Sequence, residues 1–381
     1  MKVLHVTPLP PDYIGGLSLF CKNLVINLKN RKNVHCDILT INLLNNNIKR
    51  IKINNSINVF FKKKIFFYRR GLLYPISFIF PFILKNRLNY DIIHVHGYHF
   101  FTTIQCAIMK KILGFPFILH IHGGIQTTQN VNSSWFEKFL LFIKNTFFDR
   151  FIGKFVIKAA DKIISVAKKD SKIIGERYNI EKNNNYYIPI GIDIDKFKKN
   201  DEIERKFITL LATRLTYVKG VDIFIEIINS LYKKNKNLRF LIIGDGPLKN
   251  IVLKAKNHIP IEYYESFQYD RIQEIYNASE ILLITSRTEG VPSIIYESFA
   301  CETPVISSNV GGISSIIKPK KNGYLFNINN LNEVVKLILN LLEDKQNLRI
   351  LGKNGRNLVR EKYSWEAITE KIYNIYKELI P

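Results

Sequence analysis

Short apolar runs alternate along the chain with stretches whose apolar residues recur every three or four positions, the pattern of parallel strands wrapped by helices. In the first half, the runs Lys2–Thr7, His35–Leu39, Ile92–His96, Phe117–His122 and Lys162–Val166 read as strands. A second series follows at Phe207–Ala212, Phe240–Gly244, Ile261–Tyr264, Ile281–Thr285 and Pro304–Ser307. A polar stretch, Asn183 to Lys206, lies between them, and the boundary is expected near Asp195–Glu204, where Asp, Lys and Asn replace the apolar runs. The pattern predicts an α/β protein of two parallel-sheet domains, residues 1–195 and 196–364, and a terminal helix within residues 365–381. In open sheets of this class ligands bind beyond the carboxyl ends of the strands, so chemistry is to be sought where the runs end.

Composition narrows the classes. The 381 residues are 46% hydrophobic and 12% aromatic, enough for two packed cores and unlike a disordered chain. Lys and Arg number 56 against 32 Asp and Glu, a net charge of +24 that favours a polyanionic partner. Lys, Asn and Ile are abundant throughout, so drift toward an AT-rich coding sequence accounts for the charge equally well. No RNP, zinc-finger or helix-turn-helix signature is present, and nucleic acid is not an expected partner. The cysteines, Cys21, Cys36, Cys106 and Cys301, are scattered without a CxxC pair, which argues against structural zinc and a disulfide framework and fits a reducing cytosol.

The apolar run Leu72–Leu84 is broken by Pro75 and Pro81 and falls short of the roughly 20 residues a membrane span needs. A cytoplasmic chain that does not cross a membrane is therefore expected. Two segments, Phe60–Tyr90 and Trp135–Lys158, interleave aromatics with Lys and Arg. In the second, Phe136, Phe139, Leu140, Ile143 and Phe147 share a helical face. Such a segment can rest on an anionic membrane with its basic residues toward lipid phosphates; the other reading is a face packed on the sheet.

Three stretches carry candidate chemistry. Glu289-Gly290-Val291-Pro292-Ser293 follows a strand-like run and leads into a helical pattern containing Glu297. A helix N-terminus offers free N–H groups and a positive dipole end to a diphosphate, while the two carboxylates can reach different parts of one extended ligand. At the end of the second domain's first run, Arg214 and Lys219 can converge on phosphate oxygens. Gly15 and Gly16 would let backbone approach a phosphate, although they do not form the GxGxxG fingerprint. Ile243-Gly-Asp-Gly-Pro247 reads equally as a turn or as a ligand contact.

In this order, GGLSLF, DIIHVHG, ILHIHGG, IPIGID, RLTYVKG, IGDGP, the Glu289-x7-Glu297 motif with PVISSNVGG, and NGYLF…YSWE resemble the retaining glycosyltransferases of family 4, over nearly the whole chain. The resemblance implies a GT-B fold, with two Rossmann-like doubly wound domains facing a deep cleft and the terminal helix returning to the N-terminal domain. It implies a UDP- or GDP-sugar donor, a glycan or lipid-linked acceptor, and metal-independent chemistry on the inner face of the cell membrane. It assigns Gly15, Gly16, Arg214 and Lys219 to the donor diphosphate, Glu297 to the ribose, and Glu289 and His122 to the donor sugar and catalytic centre. Gly290, Val291, Pro292 and Ser293 form the phosphate and sugar loop. His94, His96 and His120 are neighbours better suited to structure. Ile190, Glu302 and Ser315 stand where the family often has Asn, Gly and Glu, which bears on acceptor and sugar preference. A GT-B nucleotide-sugar epimerase and a non-catalytic sugar-binding subunit are the competing readings.

Overall fold

The computed structural model describes residues 1–11, 13, 16–43, 49–54, 56–65, 75–123, 125, 142, 144–289 and 291–380, without the side chains of Lys144 and Thr213. The chain divides into two compact units, Met1–Gly191 with Trp365–Pro381, and Ile192–Ser364.

The first unit holds strands β1 (Lys2–Val6), β2 (His35–Asn42), β3 (Arg50–Ile53), β4 (Ile57–Lys63), β5 (Ile92–His96), β6 (Phe117–Ile121), β7 (Lys162–Ser165) and β8 (Asn185–Tyr187). They form one sheet in the order β3-β4-β2-β1-β5-β6-β7-β8, parallel except for the β3–β4 hairpin. The chain winds outward from β1 on one side and restarts at β5 on the other, so β1 and β5 flank the switch point where such sheets place ligands. The helix Trp365–Leu379 buries Trp365, Ile368, Ile372, Ile375 and Tyr376 in the same core as Phe20, Leu24 and Leu28 of the helix Gly16–Lys32.

The second unit is a wholly parallel sheet in the order β11-β10-β9-β12-β13-β14. Its strands are β9 (Phe207–Arg214), β10 (Arg239–Asp245), β11 (Ile261–Tyr264), β12 (Ser279–Ile284), β13 (Val305–Ser308) and β14 (Gly323–Phe326). Its switch point lies between β9 and β12.

The structure differs from the sequence pattern in places. Strands β3, β4, β8 and β14 are not among the apolar runs of the sequence, because they are only half-buried and mix polar or small residues with apolar ones. Phe60–Tyr90 begins within β4, where the Phe60 and Phe82 ring centroids lie 5.0 Å apart with planes tilted by 50°; residues 66–74 lie outside the described residues. The division between units falls after Gly191 rather than after residue 195. Ile192 donates its N–H to Tyr363 O at 2.7 Å, and Phe197 is buried in the second unit's core, so a polar-looking stretch already belongs to that unit. Among the described residues, no helix is long and apolar enough to cross a membrane.

Candidate functional site

At the switch point of the second unit, β9 ends at an exposed Arg214 and the chain makes one tight turn over Tyr217–Lys219 before the helix Val221–Lys234. Gly220 sets the entry to that helix with φ +65°, and a Cβ there would stand 1.9 Å from the carbonyl oxygen of Thr285. The turn therefore presses against the end of β12, and Thr285 Oγ1 donates to Gly220 O at 2.8 Å. Arg287 clamps the two loops. Its guanidinium donates to both carboxylate oxygens of Asp222 at 2.8 and 2.6 Å and to Tyr217 O at 2.8 Å, and it lies 3.6 Å from the Tyr217 ring centroid. The bidentate geometry holds the Asp222 carboxyl below its ordinary pKa.

This clamp brings Lys219 to Glu289. Lys219 Nζ donates to Glu289 Oε1 at 2.5 Å, and Ser286 Oγ donates to the same oxygen at 2.8 Å. Gly290 lies outside the described residues. Val291 packs on the core, Pro292 caps the helix Ser293–Ala300, and Ser293 stands exposed at its first position.

Within that helix Glu297 is only 6% exposed. Its Oε2 accepts from Tyr276 Oη at 2.5 Å. Burial raises the carboxyl pKa, while the bonds from Tyr276 and Ser293 and the charge of Lys196 partly restrain that rise. Glu297 lines, with Glu265, a pocket of about 380 Å³ walled mainly by apolar groups, among them Leu211, Ile243, Phe267 and Ile272. That volume suits a small ligand with an apolar body and a few polar handles. Gly244 and Gly246 of the IGDGP segment have φ +140° and +154° and lie against the backbone of Ala212 and Leu215. They are required by close packing beneath the β9 loop, and Gly244 also lines the pocket.

In the first unit, Gly15 is outside the described residues. Gly16 opens its helix exposed, with open space around a notional Cβ. His122 follows β6 immediately, partly buried, with Nε2 3.2 Å from His96 Nδ1. Burial pushes its pKa down to about 3, so the ring is neutral at ordinary pH. His94, His96 and His120 are wholly buried.

Thus Lys219 and Glu289 meet directly, while Glu297 stands apart in the pocket. Sequence reasoning missed Ser286, Arg287 and Asp222, although Ser-Arg directly after the β12 run and Asp two residues past Gly220 are visible signals. Tyr276 carries no such signal, because only the fold brings it to a glutamate 21 positions away.

Comparison with known proteins agrees with this architecture. Residues 193–358 match the family described as Glycosyl transferases group 1, and residues 14–196 match the one described as Glycosyltransferase Family 4. The chain is 31% identical, over all its length and 99% of the relative, to an uncharacterized glycosyltransferase of Methanocaldococcus jannaschii. It is 24% identical, over 80% of its length and 79% of the relative, to the UDP-Gal:alpha-D-GlcNAc-diphosphoundecaprenol alpha-1,3-galactosyltransferase of Escherichia coli. The solved sucrose-phosphate synthase from Thermosynechococcus elongatus superposes with a TM-score of 0.73 at 17% identity, covering 100% of this chain and 99% of that one, and the shared fold is GT-B.

Proposed function

This chain belongs to the family 4, group 1 glycosyltransferases and is a glycosyltransferase; we propose that it transfers a sugar, with retention, from a nucleoside diphosphate sugar to a lipid-linked or glycan acceptor at an anionic membrane surface. The observation that carries this reading is the Lys219–Glu289–Ser286 cluster, held by the Arg287 clamp ahead of the helix that bears Glu297.

In this reading the sugar–phosphate bond breaks and its electron pair leaves with the diphosphate. Arg214, Lys219 and the N-terminus of the helix Ser293–Ala300 stabilise that developing charge, taking the place a divalent cation fills in other transferases. The acceptor oxygen bonds to the anomeric carbon on the face the leaving group vacates, and its proton passes to the departing phosphate oxygen. Glu289 faces the donor sugar and Glu297 accepts from the ribose hydroxyls; for Gly16 and His122 the family resemblance gives roles toward a diphosphate and a sugar, respectively. UDP is the favoured nucleotide, by likeness to the Escherichia coli relative, whose name gives both a UDP donor and a polyprenyl diphosphate-linked acceptor.

The membrane part is supported by the segment Lys144–Ile152 and the following helix Gly153–Ala159. Phe148, Val156 and Ile157 are buried there, whereas Phe147, Phe151 and Phe155 are 56%, 64% and 38% exposed beside Arg150, Lys154 and Lys158. Of the face expected from sequence, Phe136, Phe139, Leu140 and Ile143 lie outside the described residues. No described helix is long and apolar enough to cross a membrane; separately, an inner-face, cytoplasmic setting suits a nucleotide-sugar donor.

The test is nucleoside diphosphate release from a panel of UDP- and GDP-sugars, with and without a polyprenyl diphosphate-linked sugar acceptor, followed by NMR of the new anomeric centre. Release with one donor and a retained configuration is expected. An inverted product would overturn retention, and no release from any donor would overturn the assignment of donor class.

A further inference from the structure

Five histidines form a layer on one face of the first unit's sheet, at its switch point. His94 and His96 are alternate residues of β5. His5 of β1 is in register with His94, and His120 of β6 with His96. Phe20 and Trp365 pack over this face, with Phe20 4.9 Å from His120 and 4.8 Å from His122. The ring nitrogens make two chains. One runs from His5 Nδ1 to His96 Nε2 at 3.0 Å and from His96 Nδ1 to His122 Nε2 at 3.2 Å. The other runs from Tyr376 Oη to His94 Nδ1 at 2.6 Å and from His94 Nε2 to His120 Nδ1 at 3.1 Å.

A buried cluster of this kind invites a metal, and single donor atoms of His94, His96 and His120 lie within 4.8 Å of one another. The ring planes argue otherwise. They lie 16°, 9° and 25° from parallel in the three pairings, whereas a tetrahedral ion needs in-plane lone pairs converging on one point. The His94–His120 contact is already at hydrogen-bond length.

The layer is electrically neutral. Burial lowers the pKa of all five imidazoles and raises those of the neighbouring Cys21 and Cys36 thiols and the Tyr376 phenol. A neutral imidazole has one N–H, so each chain must run in a single direction. One observation sets the direction of the first. His5 Nε2 is buried without a partner among the described residues, and if the chain ran inward it would be an N–H donor left without a hydrogen bond, which costs its full desolvation. Running outward, it is a bare lone pair. The Cys21 sulfur lies within 4.8 Å of donor atoms on His5 and His96, and its retained S–H is a weak donor rather than a thiolate.

We propose that His5 and His96 are positioning residues that lock His122 in the neutral tautomer with its proton on Nδ1, making it a fixed hydrogen-bond donor and not a proton acceptor. The consequence for catalysis rests on the reading that His122 contacts the donor sugar. The lock itself does not.

The test uses the full chain labelled with ¹⁵N-histidine. Two-bond ¹⁵N–¹H correlations are expected to show His122 neutral with N–H at Nδ1 from about pH 5.5 to about pH 8.5. An Nε2–H tautomer or an imidazolium in that range would overturn the proposal. His96→Leu, which removes the donor to Nε2, should mix the His122 tautomers and lower kcat about tenfold with donor KM little changed. His96→Asn, whose amide nitrogen stands near the Nδ1 position, should restore both. An unaltered His122 tautomer in His96→Leu would sink the relay, and if that variant does not fold the wild-type spectrum alone decides. Stoichiometric, tight cobalt(II) binding with d–d absorption bands would make the layer a metal site instead. If the spectra are as expected but His122→Ala keeps full turnover, the lock stands and the sugar-contact reading falls.

Discussion

Lys219 and Glu289 meet across 70 positions of sequence in a single ion pair, Nζ to Oε1 at 2.5 Å, with the carboxylate steadied by Ser286. A diphosphate arriving at Lys219 must share or displace this carboxylate. Glu289→Gln is therefore expected to leave nucleoside diphosphate affinity unchanged or to tighten it a few-fold, while turnover falls by about a hundredfold or more. Lys219→Ala should weaken the same ligand by about 10- to 150-fold, the equivalent of about 1.5–3 kcal/mol for a charge-assisted bond. Calorimetry with nucleoside diphosphate beside initial rates separates the two. Wild-type turnover in Glu289→Gln would remove it from the catalytic centre.

Glu297 carries a cost of burial that can be read separately from its function. Its native pKa is raised, so between the ordinary carboxyl value and that raised value the native state holds more protons than the unfolded chain. Stability therefore falls as pH rises through that window and is level above it. Glu297→Gln is expected to raise Tm at pH 7, with the gain shrinking as pH is lowered through the window, and to raise donor KM about tenfold or more through lost ribose bonds. A Tm gain that persists undiminished in acid would contradict the linkage.

The loop clamp gives a stability test with a functional readout. Gly220→Ala forces a Cβ into Thr285 O at a positive φ, and should cost more than about 1 kcal/mol together with donor affinity. Arg287→Lys keeps the charge but loses the fork and the stack on Tyr217, so turnover should drop while global stability changes little. Urea unfolding and steady-state kinetics on the same preparations check both.

Membrane docking is expected to depend on the exposed aromatics as much as on charge. Phe151→Ser with Phe155→Ser should weaken binding to vesicles containing anionic lipid, and added salt should weaken the wild type further, as each nearby basic residue contributes about 1 kcal/mol that is screened. These positions are cleaner than Lys64, whose ammonium donates to Leu43 O within the fold. Equal sedimentation of variant and wild type with vesicles at low salt would discard the aromatic contribution.

Much of this architecture was legible because buried parallel strands write continuous apolar runs. Each of the ten runs picked out corresponds to a strand, whereas the half-buried β3, β4, β8 and β14 write no continuous apolar run. At the site, Lys219 and Glu289 were readable because they end adjacent strands of one switch point. Tyr276 was not, since its partner is fixed by helix packing rather than by spacing. The histidine layer was present in the sequence as HVH and HIH, but which nitrogens pair depends on strand register, and period-2 spacing alone does not show that. Ile192 and Phe197 were hidden in a polar stretch because isolated apolar residues anchor a linker without forming a run.

The helix Trp365–Leu379 makes the first unit discontinuous, with the whole of Ile192–Ser364 inserted into it. On the ribosome, the second unit is complete as soon as its own segment has emerged, but the first must wait through some 170 further residues for the helix that covers Phe20, Leu24 and the histidine layer. Until then that apolar face is bare, and the nascent chain has the hydrophobic exposure that recruits chaperones. Released chains truncated after Ser364 should accordingly show a protease-resistant second unit attached to a protease-sensitive first.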